Sequence, residues 1–131
     1  MKTISLETRS RFEMIDITHA AQSAVRDAGI SSGICLVYTP HTTAAITINE
    51  NADPDVPRDI LAALDRAFPL SANYRHAEGN SAAHVKSSLV GASEMIIIEN
   101  SRLVLGTWQS IFFCEFDGPR TRKFLISMIA G

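Results

Sequence analysis

The chain has 131 residues, which suits one domain spanning 1–131 and leaves little room for a second. It is 46% hydrophobic and 20% charged, a balance that excludes a disordered segment and supplies a core. Its formal net charge of -2 excludes the strongly basic balance of a nucleic-acid binder, although Arg120, Arg122 and Lys123 form a local basic cluster.

Thr3 to Thr8 alternates, with Ile4 and Leu6 on one side and Thr3, Ser5 and Glu7 on the other, the period of a strand. Asp16-Ile17-Thr18 then opens a helix whose stripe is Ile17, Ala21, Ala24, Val25 and Ala28. Gly29 closes it in the left-handed position that glycine tolerates. Ile34 to Tyr38 reads as a buried strand stopped by Pro40, and Ala44 to Glu50 as the next strand. Asp53 or Asp55 caps a second helix carrying Val56, Ile60, Leu61, Leu64 and Phe68, with Pro54 and Pro57 near its first turn. Residues 69–79 read as a loop. Asn80 or Ser81 caps a short helix through Leu89 that Gly91 ends. Met95 to Glu99 is strand-like. Leu103 to Gln109 and Ile111 to Asp117 read as two strands, or as one strand bent at Gly106. Gly118-Pro119 makes a turn, and Arg122 to Ala130 fits a strand, with a helix as the alternative. Strands mixed with about three helices, without strict alternation, predict an α+β fold with a largely antiparallel sheet.

Cys35 and Cys114 lie in apolar runs and are expected to be free and buried. The N-terminus lacks a long apolar segment of signal-peptide type, and no apolar stretch approaches the ~20 residues of a membrane span. A cytoplasmic location is the expectation.

Four constellations can carry chemistry. The first is the histidine set: His41 in Thr39-Pro40-His41-Thr42-Thr43, and His76 and His84 bracketing Ala77-Glu78-Gly79-Asn80-Ser81-Ala82-Ala83. Three neutral imidazoles can hold one ion such as zinc and leave a position open. The alternative is that each histidine caps or bridges a loop. The second is Asn49-Glu50-Asn51-Ala52-Asp53, at a strand end, where Glu50 or Asp53 suits a general base or a ligand for Mg2+, and Asp53 alternatively caps a helix. The third is the segment 78–88, in which Gly79, Ser81 and a helix start make a candidate anion site, with Lys86 adding a point charge. The fourth joins Trp108-Gln109 to Glu115-Phe116-Asp117-Gly118-Pro119-Arg120. Ile111, Phe113, Glu115 and Asp117 share one strand face, so the carboxylates need partners, for which Arg120 or Arg122 is suited.

Together these segments resemble the YjbQ-like family, whose members are called secondary thiamine-phosphate synthases. The resemblance rests on residues 39–45, 49–56, 76–88, 105–109 and 115–120, and spans nearly the whole chain. It implies a sandwich-like α+β domain, a homotrimer, and a site near the subunit interface containing the matched histidines. It also implies joining of a pyrimidine pyrophosphate to a thiazole phosphate, a secondary activity that need not be the physiological role. On that expectation His41, His76 and His84 bind a divalent metal, zinc or the Mg2+ that accompanies pyrophosphate. Glu50, Asp53 or Glu78 contacts the ion. Lys86 and Arg120 neutralise the leaving pyrophosphate, Asn49, Asn80 and Gln109 orient the small phosphorylated heterocycle, Ser81 contacts it, and Trp108 stacks on its ring. The alternatives are metal-assisted hydrolysis of a phosphate ester and metal-dependent binding without turnover.

Overall fold

A computed structural model describes residues 1–131. Eight strands and three helices follow the chain as β1 Lys2–Glu7, β2 Glu13–Asp16, α1 Thr18–Ala28, β3 Gly33–Tyr38, β4 Ala44–Glu50, α2 Asp55–Ala67, α3 Ser81–Val90, β5 Ser93–Glu99, β6 Arg102–Leu103, β7 Gln109–Glu115 and β8 Thr121–Ala130. They form one five-stranded sheet in the order β1-β8-β3-β5-β6 and one three-stranded sheet in the order β2-β7-β4. Every pairing is antiparallel, so the α+β expectation holds.

The period of two along each strand places the layers. Cys35, Val37, Ile96, Ile98, Phe124 and Ile126 point from the large sheet toward Ala44, Ile46, Ile111 and Phe113 of the small one. Ala21, Ala24 and Val25 of α1 complete this core, as the predicted stripe requires. The opposite face of the small sheet carries Ala45, Phe112, Cys114 and Phe116, which pack under Ala83 of α3 and Leu61 and Leu64 of α2. The alternation along β7 therefore serves two cores. Burial raises the Cys35 thiol to about 11 and the Cys114 thiol to about 12, and neither is oxidised.

Local signals set most boundaries. Asp16 Oδ1 accepts the Thr18 N–H at 2.9 Å, and Gly29 ends α1 at φ 67°. Asp53 Oδ1 accepts the Asp55 N–H at 2.9 Å where α2 begins. The predicted strand over 103–109 does not form beyond Leu103. Instead Gln109 Oε1 accepts the Gly106 N–H at 2.8 Å while the Gln109 N–H donates to the Gly106 carbonyl at 3.0 Å, closing a turn. Residues 121–130 are a strand and not a helix, because β8 lies inside the large sheet and bonds β1 on one side and β3 on the other. No helix is long and apolar enough to cross a membrane.

Candidate functional site

The site grows from the place where β3 stops. Tyr38 pairs with Leu125, and continuing that register would set Pro40 opposite Lys123. His41 supplies an acceptor here instead: its Nε2 accepts the Lys123 backbone N–H at 3.0 Å. That bond fixes the tautomer with the proton on Nδ1. Nδ1 has no protein partner and is not sealed from solvent. Burial, followed by the charge of Arg122, holds His41 below the ordinary histidine value. Lys123 and Arg120 act in the same direction and Glu115 opposes them. The surroundings of this imidazole are thus net positive.

A cavity of about 600 Å³ opens beside His41, bounded by Tyr38, Thr42, His84, Ser88 and Gly91 among others. His84 comes from the second turn of α3 and also borders two adjoining depressions. One of them, about 440 Å³, is lined by Tyr74, Arg75, His76 and Ser81. The His76 and His84 rings meet edge to face with centroids 5.4 Å apart, and His76 Nε2 lies 3.7 Å from Glu78 Oε2. Ser87 donates to the Ala44 carbonyl at 2.6 Å and ties α3 to the start of β4, next to His41.

Behind this cavity Glu115 and Arg122 form a fully enclosed pair. Arg122 Nε donates to Glu115 Oε1 at 2.8 Å and its Nη2 binds Glu115 Oε2. The same Nη2 donates to the Thr43 hydroxyl at 2.8 Å and carbonyl at 3.1 Å, and the Thr8 hydroxyl donates to Glu115 at 2.8 Å. Burial alone would raise the Glu115 carboxyl. The bonds from Arg122, the Asp117 N–H and Thr8 outweigh it and leave the group below its ordinary value. Arg120 pairs instead with Asp117, Nη2 to Oδ2 at 3.0 Å, and Asn80 Nδ2 donates to the same oxygen at 2.9 Å. Asn80 therefore does not cap α3 with its side chain, and its Oδ1 is buried without a partner.

The expected site residues divide into two groups. His41, His76, Glu78, Asn80, Ser81, His84 and Arg120 gather at the end of the small sheet where β4 begins and α3 starts. Asn49, Glu50, Asp53, Trp108 and Gln109 lie at the other end, since Ala44 pairs with Glu115 while Glu50 pairs with Gln109. Seven strand residues separate these ends by roughly 20 Å. Trp108 is 62% exposed there, and the Asn49 side chain accepts the Glu50 N–H at 2.7 Å. Lys86 joins neither group. It is buried between helices, with Nζ 3.3 Å from Asp65 Oδ1 and 4.1 Å from the Phe12 ring centroid. It holds α3 to α2.

The shared three-histidine metal site is likewise not formed. No group of three or more His, Cys, Asp or Glu side chains is placed to hold an ion. His41 spends a ring nitrogen on the β8 backbone, and of the carboxylates expected to help, Glu50 and Asp53 lie at the far sheet end while Glu78 lies 3.7 Å from His76 alone. Tyr38 and Thr8 were missed by sequence reasoning. Tyr38 carried only the signal of a polar tip ending an apolar strand, and Thr8, 107 positions from Glu115, carried none.

A profile of the family described as "UPF0047 protein YjbQ-like" matches residues 2–131. The chain belongs to the YjbQ-like family. YugU of Bacillus subtilis is 57% identical over 130 residues, covering 98% of each chain. A UPF0047 protein of Methanocaldococcus jannaschii is 52% identical, covering 95% of this chain and 90% of its own. Among solved structures, a YjbQ-like protein of Clostridium acetobutylicum superposes with a TM-score of 0.98 at 56% identity, covering 98% of this chain and all of that one. A Sulfolobus solfataricus structure described as a YbjQ-like protein of unknown function gives 0.95 at 34% identity, covering 99% of this chain and 96% of that one. These YjbQ-like relatives carry names that state no reaction, and nothing relates the chain to thiamine-phosphate synthases. The expected transferase activity and its role in thiamine synthesis are therefore withdrawn, together with the metal-binding assignment.

Proposed function

We propose that the chain binds a small phosphorylated heterocycle in the cavity between His41 and His84. The observation that carries this reading is the state of His41. Its Nε2 is committed to the Lys123 amide, so its Nδ1–H is a fixed donor in positive surroundings. A fixed donor needs no reorganisation to meet a phosphate oxygen. The Thr42 hydroxyl adds a second donor, and Tyr38 offers an aromatic surface at the rim for a ring. A volume of about 600 Å³ suits a ligand of that size. The His84 ring makes no hydrogen bond to protein and lines the opposite side of the cavity, free to meet the ligand.

The test is calorimetric titration with heterocyclic monophosphates and their unphosphorylated counterparts, on the native chain and on His84→Ala. Binding of the phosphorylated forms alone, weakened about tenfold or more in the variant, is the expected result. Equal binding of both forms, or full affinity in His84→Ala, overturns the assignment.

We also propose a homotrimer assembled through the outer face of the large sheet. Tyr38, Met95, Ile97 and Ile129 stand 42%, 70%, 59% and 73% exposed there, a contiguous apolar surface of the kind that partners cover. Tyr38 belongs to both this face and the cavity, which supports a site at the subunit boundary. The two buried free thiols support a reducing, cytoplasmic setting. Light scattering should give three times the 14.3 kDa chain mass, and a monomer mass overturns the trimer.

A further inference from the structure

A second cavity, of about 400 Å³, lies at the tip of the β5–β6 hairpin and is lined only by Gln22, Arg26, Asn100, Ser101 and Arg102. No hydrophobic residue lines it, and it shares no residue with the histidine cavity. Gln22 and Arg26 stand one helical turn apart on α1, so both face the hairpin tip. The Gln22 amide pins that tip from both sides. Its Nε2 donates to the Ser101 carbonyl at 3.0 Å and its Oε1 accepts the Leu103 N–H at 3.0 Å. The tip cannot drift from the helix without breaking both bonds.

Two arginines line this cavity, and neither is held in an ion pair. Arg26 gives one hydrogen bond, to the Ser23 hydroxyl at 3.1 Å, and Arg102 gives none to protein. Neither forms an ion pair, although Glu99 is the cross-strand partner of Arg102 and Asp27 adjoins Arg26; Asp27 pairs with Lys2 instead. Each guanidinium therefore keeps most of its five donors free in a planar fork that matches an oxyanion. Both exposed arginines border the same polar cavity.

The turn is unusual as well. Asn100 and Ser101 adopt φ 53° and 61°, both left-handed. Hairpins with this backbone ordinarily place glycine second, because a side chain there is strained. Ser101 keeps its hydroxyl in the lining at the cost of that strain.

We propose that this cavity is a second anion site, which takes a phosphate group between Arg26 and Arg102 with the Ser101 hydroxyl as an additional donor. It is independent of the histidine cavity. The group can arrive as free phosphate or on a small monoester, and the chemistry of recognition is the same.

The full chain is titrated with inorganic phosphate and with phenyl phosphate, using calorimetry and phosphorus NMR linewidths, with acetate as the control anion. Titrations are run on His84→Ala, in which the histidine cavity is impaired, and on the same chain with Arg26→Gln/Arg102→Gln added. Saturable binding with a Kd of about 1 mM or below is expected in His84→Ala, weakened about tenfold or more when the two arginine substitutions are added. Binding of phenyl phosphate but not of inorganic phosphate assigns the site to esters, and binding of both assigns it to the phosphate group alone. Unchanged affinity on adding the two arginine substitutions, competition by acetate at equal concentration, or no saturation well above that Kd overturns the proposal. Native circular dichroism and melting of the chain with both arginine substitutions confirm that lost binding is not lost folding, since both arginines lie at the surface.

Discussion

Replacing Glu115 by glutamine removes one charge from the enclosed pair and leaves the Arg122 guanidinium buried beside a neutral amide. Glu115 has no exposed surface and Arg122 is 3% exposed, so water cannot repair the loss. Removing one partner of a buried pair costs about 3–5 kcal/mol, because the remaining charge stays desolvated. For a chain of this length that corresponds to a fall in Tm of roughly 10–20 °C. The double variant Glu115→Leu/Arg122→Met should recover most of the loss, since a packed apolar pair of similar volume often equals or exceeds a buried ion pair. The carboxyl also fixes the pH dependence. Its folded pKa is below its ordinary 4.5, so its stabilisation is complete above the unfolded value and lost as pH falls below 4.5 through the folded pKa. Glu115→Gln should therefore show a flatter acid limb than the native chain over that window. Urea melts at several pH values measure both effects. A loss under about 1 kcal/mol, or an unchanged acid limb, would refute the view that this pair is desolvated and mutually dependent.

His41 is held below the ordinary 6.5, so the unfolded chain takes up its proton first, and the His41 contribution to stability is lost as pH falls below 6.5 toward the folded value. Nitrogen-resolved NMR should show the proton on Nδ1 at neutral pH and a midpoint below 6.5; a proton on Nε2 would remove the fixed donor from the binding proposal. Gly33→Ala should destabilise by about 2 kcal/mol or more, because an added Cβ would lie 2.0 Å from the Ile129 carbonyl oxygen on the paired β8 and the residue holds φ 147°. A chemical melt of that variant within error of native would show that β3 and β8 can separate at this rung without cost.

The fold was largely legible because most of its elements carry a strong period or a cap. The stripe on α1 and the alternation along β4 each had one solution. β2 was missed because four residues, Glu13–Asp16, show no period of their own and become a strand only by pairing with β7. The residues of the site were legible as chemistry, and their geometry only in part. His41 precedes and Glu50 ends a strand of seven residues, and the extended strand read from the sequence already sets them at opposite ends, so joining them in one site ran against that reading. His41 offers a second case. Its role as an acceptor for β8 depends on a register between positions 82 apart, which no local pattern encodes. Glu115 was different: a carboxylate continuing an apolar row demanded a cation, and Arg122 met it.

The two thiols divide the protein into separately observable halves. Cys35 lies between the sheets, whereas Cys114 belongs to the cluster on the other side of the small sheet, which α2 and α3 cover together. No residue of α2 is fully buried, so this helix is the layer with the smallest apolar anchorage. Lifting the helical layer, α2 first, opens the Cys114 side and leaves Cys35 enclosed; parting the sheets opens the Cys35 side. A thiol reagent therefore reads two distinct openings of one native chain, the partial one through Cys114 and the global one through Cys35, without any engineered label.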